Sequence, residues 1–317
     1  MLGLLNLFAY MQGSNDTSDR LSNLVGFGTN PGSLRSLTHI PENLPDAAPL
    51  VVVLHGCEQT ATDYDRGSGW SELADRHGFA LLFPEQRRSN NWLLAFNWFE
   101  PCDSHRDSGE PLSIRQMIEQ VVSDHGIDRQ RIFVTGLSAG GAMASVLLAT
   151  YPEAFAGGAI IAGLPYGCAS TIPDAFRRMR GQRGGPTAQQ LAARLRDASE
   201  HDGPWPTISI WHGSRDRTVD PSNSEEILQQ WLTLHDLERM PSRAHIVDGY
   251  PRRVWSDPEG HELLEEYRIT GMGHGIPLNT SGRHGCGSSG DYMLDVNISS
   301  TRHIAAFWGL RAVGAAD

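Results

Sequence analysis

Residues 131–144 read Arg-Ile-Phe-Val-Thr-Gly-Leu-Ser-Ala-Gly-Gly-Ala-Met-Ala. The apolar start of this stretch predicts a buried strand, and the small residues at its end predict the start of a helix that closes at Tyr151-Pro152. Between them lies Gly136-Leu137-Ser138-Ala139-Gly140, a G-x-S-x-G turn. A strand that reverses into a helix so abruptly leaves no room for side chains on either side of its apex. We therefore predict that the turn lifts the Ser138 hydroxyl out of the sheet, where it can act as a nucleophile.

The pentapeptide alone is a weak signal, because average residue usage produces it by chance in roughly one chain in ten of this length. Its context makes it stronger, since a strand before it and a helix after it are what a nucleophile turn requires. The Ala139 amide would then lie at a helix N-terminus, where it can face developing negative charge.

Composition excludes several function classes. The formal net charge of -11 argues against nucleic acid and anionic membrane surfaces as partners, since both would be repelled. All 26 basic residues are arginine, so a Schiff-base lysine, a Ser-Lys dyad and a phosphate loop ending in Gly-Lys are excluded. An activated serine must therefore use one of the 13 histidines.

The cysteines and the N-terminus give weaker indications. Cys57, Cys102, Cys168 and Cys286 show no C-x-x-C spacing, so we expect no metal site and mostly free thiols, with one or two disulfides as the alternative. Residues 1–10 are apolar but lack a basic region, so we expect a short helix or tail rather than a signal peptide. This favours a cytoplasmic location, with export as the alternative.

The order of predicted elements indicates the fold. Strands alternate with helices, which predicts an α/β protein with a mostly parallel sheet covered by helices on both faces. We expect an irregular leader over residues 1–32 and a single catalytic domain over residues 33–317. The predicted strands span residues 34–40, 50–54, 79–84, 131–135, 156–161, 207–211, 243–255 and 262–270, and the predicted helices 70–77, 114–125, 142–150, 188–199, 225–235 and 301–310.

The strand at residues 50–54 is a continuous apolar run that delivers His55-Gly56-Cys57 to the carboxyl edge of the sheet. A glycine-bearing loop at this place is the natural source of a second oxyanion donor, and our candidate is the backbone amide of Cys57. The alternative is a plain turn between strand and helix.

Ser138, Asp216 and His274 each follow a predicted strand, in the order nucleophile, acid, base. A hydroxyl is a poor nucleophile at neutral pH, so His274 would accept the Ser138 proton while Asp216 orients the imidazole. Asp220 and Asp248 are alternatives for the acid, and His274 could instead be an ordinary loop histidine.

Two loops are candidates for shaping the pocket. Residues 90–110 carry several large aromatic side chains that either wrap a groove or fold beneath the loop. Residues 177–185 are polar and predict a mobile surface loop. Our candidate substrate-binding residues are His55, Trp98 and Trp211.

Several segments together carry a resemblance to a known family: residues 49–57, 97–99, 136–144, 162–167, 212–219, 271–274 and 292–310. On these segments the sequence resembles the poly(3-hydroxybutyrate) depolymerase family of esterases, which includes feruloyl and acetylxylan esterases. The resemblance implies an α/β-hydrolase fold, no cofactor, Ser138, Asp216 and His274 as the triad, and the Cys57 and Ala139 amides as the oxyanion hole. Ala95 stands where family members often carry a cysteine, and no polymer-binding module is evident, so we do not expect action on crystalline polyester.

The sequence therefore predicts a serine carboxylesterase that acts through an acyl-enzyme on short or soluble esters: hydroxyalkanoate oligomers, feruloyl or other aryl esters, or acetyl esters. One alternative is an acyltransferase that uses the same triad. The other is a binding protein on an inactive hydrolase scaffold.

Overall fold

The computed structural model describes residues 20–182, 184–282 and 285–310. Its centre is a ten-stranded sheet in the order β1-β2-β4-β3-β5-β6-β7-β10-β9-β8. The strands of this sheet are β1 (Ser22–Asn23), β2 (Arg35–His39), β3 (Leu50–Leu54), β4 (Ala80–Glu85), β5 (Ile132–Leu137), β6 (Gly157–Ile161), β7 (Thr207–Gly213), β8 (Arg243–Val247), β9 (Tyr250–Ser256) and β10 (Glu262–Ile269). A second sheet pairs β11 (Ile276–Leu278) with β12 (Met293–Asp295) in parallel.

Six neighbouring strands, from β4 through β3, β5, β6 and β7 to β10, run parallel. Antiparallel strands flank them, β2 on one side and β9 with β8 on the other. All five residues of β3 are buried, as expected for a strand covered on both faces. The carboxyl ends of the six parallel strands therefore meet at one edge, where the predicted catalytic loops emerge.

Helices cover both faces of the sheet, and alternate residues of β3 show which helix packs on which face. Leu50, Val52 and Leu54 belong to a core cluster with residues of α3, α4, α6 and α7. Val51 and Val53 belong to a second cluster with residues of α1, α2 and α8. The helices are α1 (Ala61–Ser68), α2 (Trp70–His77), α3 (Gly109–His125), α4 (Ala139–Thr150), α5 (Ile172–Met179), α6 (Ala188–Arg196), α7 (Ser222–Leu234) and α8 (Ser300–Phe307).

Local structure differs from the sequence expectation in three places. Residues 177–179 close helix α5 instead of opening a loop, because Thr171 caps the helix through the Asp174 amide and a proline occupies its first turn. The strand expected over residues 243–255 is a hairpin, which turns at Asp248 and Gly249 with positive φ at both positions. The leader contains β1, which pairs with β2, while residues 1–19 lie outside the described residues.

The structure also bears on thiols and membranes. All four cysteines are free: Cys168 and Cys286 are buried, and Cys102 is exposed. In the described ranges, no helix is both long enough and apolar enough to cross a bilayer.

Candidate active site

Ser138 lies between β5 and α4, at the centre of the sheet's carboxyl edge. Its backbone has φ 58° and ψ -117°, a strained conformation for a residue with a side chain. The turn is held by two backbone hydrogen bonds: Ser138 N donates to Ile161 O at 2.9 Å, and Ala142 N donates to Ser138 O at 2.9 Å. The end of β6 on one side and the first turn of α4 on the other therefore hold the Ser138 backbone in this strained conformation.

The glycines around Ser138 are required by close approach of backbone to backbone. A Cβ on Gly140 would lie 2.4 Å from Leu54 O and 2.5 Å from His55 O. A Cβ on Gly136 would lie 2.4 Å from the carbonyl group of Gly140. Helix α4 can therefore sit directly against the end of β3 only because these side chains are absent.

The structure brings Asp216 and His274 together. His274 Nδ1 lies 2.7 Å from Asp216 Oδ2, and both side chains are nearly or fully buried. The other ring nitrogen, Nε2, is then the one available to accept a proton. The two alternative acids point elsewhere, since Asp220 Oδ1 accepts from Ser222 N and Asp248 Oδ2 contacts His303.

A glycine also allows the acid and base loops to pack together. A Cβ on Gly213, at the end of β7, would lie 2.5 Å from Met272 O and 2.4 Å from Gly273 O. Arg215 N donates to Met272 O at 2.9 Å across the same contact. The loop that carries His274 therefore lies directly on the loop that carries Asp216.

Asp216 is held as an anion by several donors. Its Oδ1 accepts from Thr218 N at 2.8 Å and from Val219 N at 2.9 Å. Its Oδ2 contacts His274 Nδ1 and lies 3.2 Å from His212 Nε2. Burial by itself raises the pKa of the Asp216 carboxyl, but the contacts with His212, His274 and the Val219 amide outweigh it and hold that pKa well below its usual range.

The two predicted oxyanion donors occupy the ends of β3 and β5. Within the described ranges, neither the Cys57 amide nor the Ala139 amide donates a hydrogen bond to another residue. The loop at Cys57 is fixed on both sides, because Gly56 N donates to Gln59 Oε1 at 2.8 Å and Glu58 N donates to Leu93 O at 2.7 Å. Burial raises the pKa of the Cys57 thiol to about 11, which makes this thiol unreactive.

Two of the predicted substrate-binding residues are placed where they cannot meet a substrate. Trp211 is fully buried, stacks on Tyr267 at 3.8 Å between ring centroids and donates from Nε1 to Ser209. His55 is 1% exposed, and its two ring nitrogens contact Gly56 O and Gln86 N. Both assignments are corrected because each side chain is enclosed by the core: Trp211 stacks on buried Tyr267, and His55 packs against buried Phe96.

Trp98, the third candidate, belongs to the aromatic loop at residues 90–110. It is 8% exposed and packs edge-on against Phe99, and Phe96 is completely buried. Buried Glu110 fixes this part of the loop by accepting from Asn97 N and from the side chain of Gln86. The loop therefore folds its aromatic side chains beneath itself, apart from Trp92, which is 74% exposed.

A cavity of about 400 Å³ adjoins the proposed oxyanion loop. Cys57, Glu58 and Gln59 line one side, and residues 288–293 line another. Tyr292, in this lining, packs edge-on against the His274 ring at 5.8 Å between centroids. The cavity therefore lies beside the proposed oxyanion loop and beside Tyr292, whereas Ser138 and His274 are not among the residues that line it.

Sequence reasoning missed two residues at this site. His212 was quoted in the resemblance but given no role, although its position four residues before Asp216 was a usable signal. Tyr292 could not be found from the sequence, because only the pairing of β11 with β12 brings it to His274. Among the described residues, no group of three or more His, Cys, Asp or Glu side chains is arranged to hold a metal ion.

This chain is similar to known esterases in sequence and in fold. The model of the esterase PHB depolymerase family matches residues 36–242. Poly(3-hydroxyalkanoate) depolymerase C of Paucimonas lemoignei is 46% identical over 92% of this chain and 70% of its own length. Acetylxylan esterase of Coprinopsis cinerea is 32% identical over 81% of this chain and 70% of its own length. The solved acetyl xylan esterase from Aspergillus awamori superposes with a TM-score of 0.77 over 92% of this chain and 99% of its own, at 24% identity. That likeness confirms the predicted α/β-hydrolase fold.

Proposed function

Because this chain belongs to the esterase PHB depolymerase family and is a carboxylesterase, we propose that it cleaves esters through an acyl-enzyme formed on Ser138. The observation that carries the proposal is the 2.7 Å contact between His274 Nδ1 and Asp216 Oδ2, made by loops that follow β10 and β7 at the same edge of the sheet as the strained serine turn. A buried carboxylate bound to one ring nitrogen fixes the tautomer in which the other nitrogen is a base.

The reaction has two balanced steps. In the first, Ser138 Oγ attacks the ester carbonyl carbon while His274 Nε2 takes its proton, and the carbonyl oxygen becomes an oxyanion that accepts from the Cys57 and Ala139 amides. The intermediate collapses, the alcohol leaves with the proton from His274, and an acyl-Ser138 ester remains. In the second step water attacks this ester, His274 takes and returns the proton in the same way, and the carboxylic acid is released.

We propose short, soluble hydroxyalkanoate oligomers as the first substrate class, with acetyl and feruloyl esters as the other candidates. The poly(3-hydroxyalkanoate) depolymerase at 46% identity supports this order.

Substitution of the nucleophile tests the mechanism. We expect Ser138→Ala to lower kcat/KM for a chromogenic short acyl ester by at least about 10³-fold, since the acyl-enzyme can no longer form. A fluorophosphonate should label the wild-type chain at Ser138 and leave the variant unlabelled. Ser123→Ala, at an exposed position on α3, is the matched control and should keep full activity. Wild-type activity in Ser138→Ala would overturn the proposal.

The substrate class is tested on the same preparation. Hydrolysis of hydroxybutyrate dimers and trimers, methyl ferulate and acetylated xylo-oligosaccharides is compared by kcat/KM. The proposal expects the largest value for the hydroxybutyrate oligomers, and a larger value for either of the other esters would contradict it.

A further inference from the structure

A second histidine contacts the acid of the proposed triad. His212 is the penultimate residue of β7, and its side chain is 2% exposed. Its Nε2 lies 2.9 Å from Val219 O and 3.2 Å from Asp216 Oδ2. One ring nitrogen therefore contacts both the carboxylate and the backbone turn that holds this carboxylate.

The surroundings fix the proton on this imidazole. Both atoms near Nε2 are acceptors, so Nε2 carries the hydrogen. The other nitrogen, Nδ1, is buried and has no hydrogen-bond partner among the residues that the structure describes. A hydrogen there would be a buried donor without an acceptor, so His212 is neutral and in the Nε2–H tautomer.

From this arrangement we propose that His212 is a positioning residue for catalysis, acting through Asp216. In this role His212 touches neither the ester nor the serine. The inference rests on the proposed function of the triad. Its N–H donates to Val219 O, which closes the turn over residues 216–219 against the end of β7. The same N–H places partial positive charge beside Oδ2, the oxygen that His274 uses.

The role follows from what Asp216 must do during the reaction. The Asp216 Oδ1 atom accepts from two amides of the turn over residues 216–219. These hydrogen bonds limit rotation of the carboxylate only if the turn itself is held in place. His212 supplies the anchor from a rigid strand. Without it, Oδ2 is free to move away from His274 Nδ1, and the imidazole loses the orientation that proton transfer requires.

Two substitutions of His212 test whether its role depends on the hydrogen-bond donor at Nε2 or only on packing of the side chain. The side-chain nitrogen of glutamine reaches about as far as Nε2 of histidine, whereas that of asparagine reaches only as far as Nδ1. We therefore expect His212→Asn to lower kcat about 10- to 100-fold, with KM changed less than twofold. His212→Gln should recover kcat to within about threefold of the wild type. His235→Asn is the control for packing and should keep kcat at pH 7.5, because His235 is another largely buried histidine, and its Nε2 has no hydrogen-bond partner within the described part of the chain.

A double-mutant cycle tests whether His212 acts through Asp216. In the Asp216→Ala background, we expect His212→Asn to lower kcat by less than a further twofold. A further tenfold loss would overturn the inference, as would equal losses in the Asn and Gln variants at equal thermal stability. If Asp216→Ala itself keeps wild-type kcat, the proposed triad fails; if it loses activity while His212→Asn does not, only the inference fails.

One measurement needs no variant at the site to fold. In the wild-type chain labelled with ¹⁵N-histidine, nitrogen chemical shifts at pH 7.5 should show His212 as neutral and protonated at Nε2. A cationic ring, or a ring protonated at Nδ1, would overturn the inference. Resonances are assigned in the wild-type chain by through-bond correlations from each imidazole ring to its own backbone.

Discussion

In the proposed mechanism Cys57 acts through its backbone amide, and the residue also lines the adjoining cavity. The loop is held by hydrogen bonds of the two neighbouring residues, Gly56 N to Gln59 Oε1 and Glu58 N to Leu93 O, and the Cys57 side chain packs against the core. The proposed role therefore needs the backbone amide of Cys57 and no chemistry of its thiol.

Replacement of the thiol tests this separation of backbone from side chain. We expect Cys57→Ala to keep kcat/KM for a short acyl ester within about threefold of the wild type, because the proposed oxyanion donor is retained. The measurement is steady-state hydrolysis, with thermal unfolding as the check on folding. A loss above tenfold without a change in melting temperature would show that the side chain takes part.

His235 makes folding sensitive to acid. Burial lowers the pKa of its imidazole to about 4, below the usual value near 6.5. The unfolded chain then binds more protons than the folded chain between these two values. The stability that depends on the neutral ring is fully present above pH 6.5, and up to about 3 kcal/mol of it is lost as the pH falls to 4.

We expect His235→Gln to remove this part of the acid sensitivity. Urea unfolding at pH 7.5, 5.5 and 4.5 gives the free energy of unfolding of both chains, and the wild type should lose more than the variant over this range. The difference between the two chains cancels the titration of carboxyl groups common to both. Parallel pH curves would contradict the assignment.

At the scale of the element, β5 and α4 form one unit whose junction is a close backbone contact. The Gly140 Cα faces the carbonyls at the end of β3, and this fixes where the helix starts and where the Ser138 and Ala139 amides point. The catalytic turn therefore depends on its neighbouring strand as much as on its own sequence.

We expect Gly140→Ala to destabilise the chain by about 3 kcal/mol, because a Cβ 2.4 Å from Leu54 O forces backbone to move. Activity should fall more than stability, since the same shift displaces the Ala139 amide. Gly273→Ala is the control for stability: a Cβ there meets nothing within 4 Å, and the free energy of unfolding should change by less than about 0.5 kcal/mol. Equal stability of the two variants by urea unfolding would refute this account.

At the scale of the whole molecule, the parallel sheet is joined to its antiparallel extension by a buried ion pair. Glu265 on β10 is 1% exposed and accepts from Ser209 on β7 at 2.6 Å and from Arg252 on β9 at 2.7 Å. Burial raises the pKa of its carboxyl to about 7. The Glu265 carboxylate thus links β7, β9 and β10, in the half of the sheet that carries Asp216 and His274.

Removal of Arg252 alone should lower the free energy of unfolding more than removal of both the Arg252 and the Glu265 charges. We expect Arg252→Met to lower the free energy of unfolding at pH 8 by about 3 kcal/mol, because it leaves a buried carboxylate without its partner. Arg252→Met combined with Glu265→Gln should recover at least half of that loss, since the amide keeps an acceptor for Ser209. The prediction is wrong if urea unfolding shows the double variant to be no more stable than the single one.

The sequence by itself determined the fold class, the strand–turn–helix around Ser138 and the strand ends that carry Asp216 and His274. These follow from short-range causes: apolar runs, helix caps and glycines whose backbone must pass close to another chain segment. The hairpin at Asp248-Gly249 also has a short-range cause, because an Asp-Gly pair favours a tight turn between two strands.

Only the tertiary structure decided which side chains meet. His55 and Trp211 point into the core, whereas His212, one residue later than Trp211 on the same strand, points to Asp216. Neighbouring residues of a strand face opposite sides of the sheet, so a shift of one residue along β7 separates a core side chain from one that contacts the site. The contact between Asp216 and His274 depends on the pairing of β7 with β10 across 58 positions of chain, which no local pattern encodes.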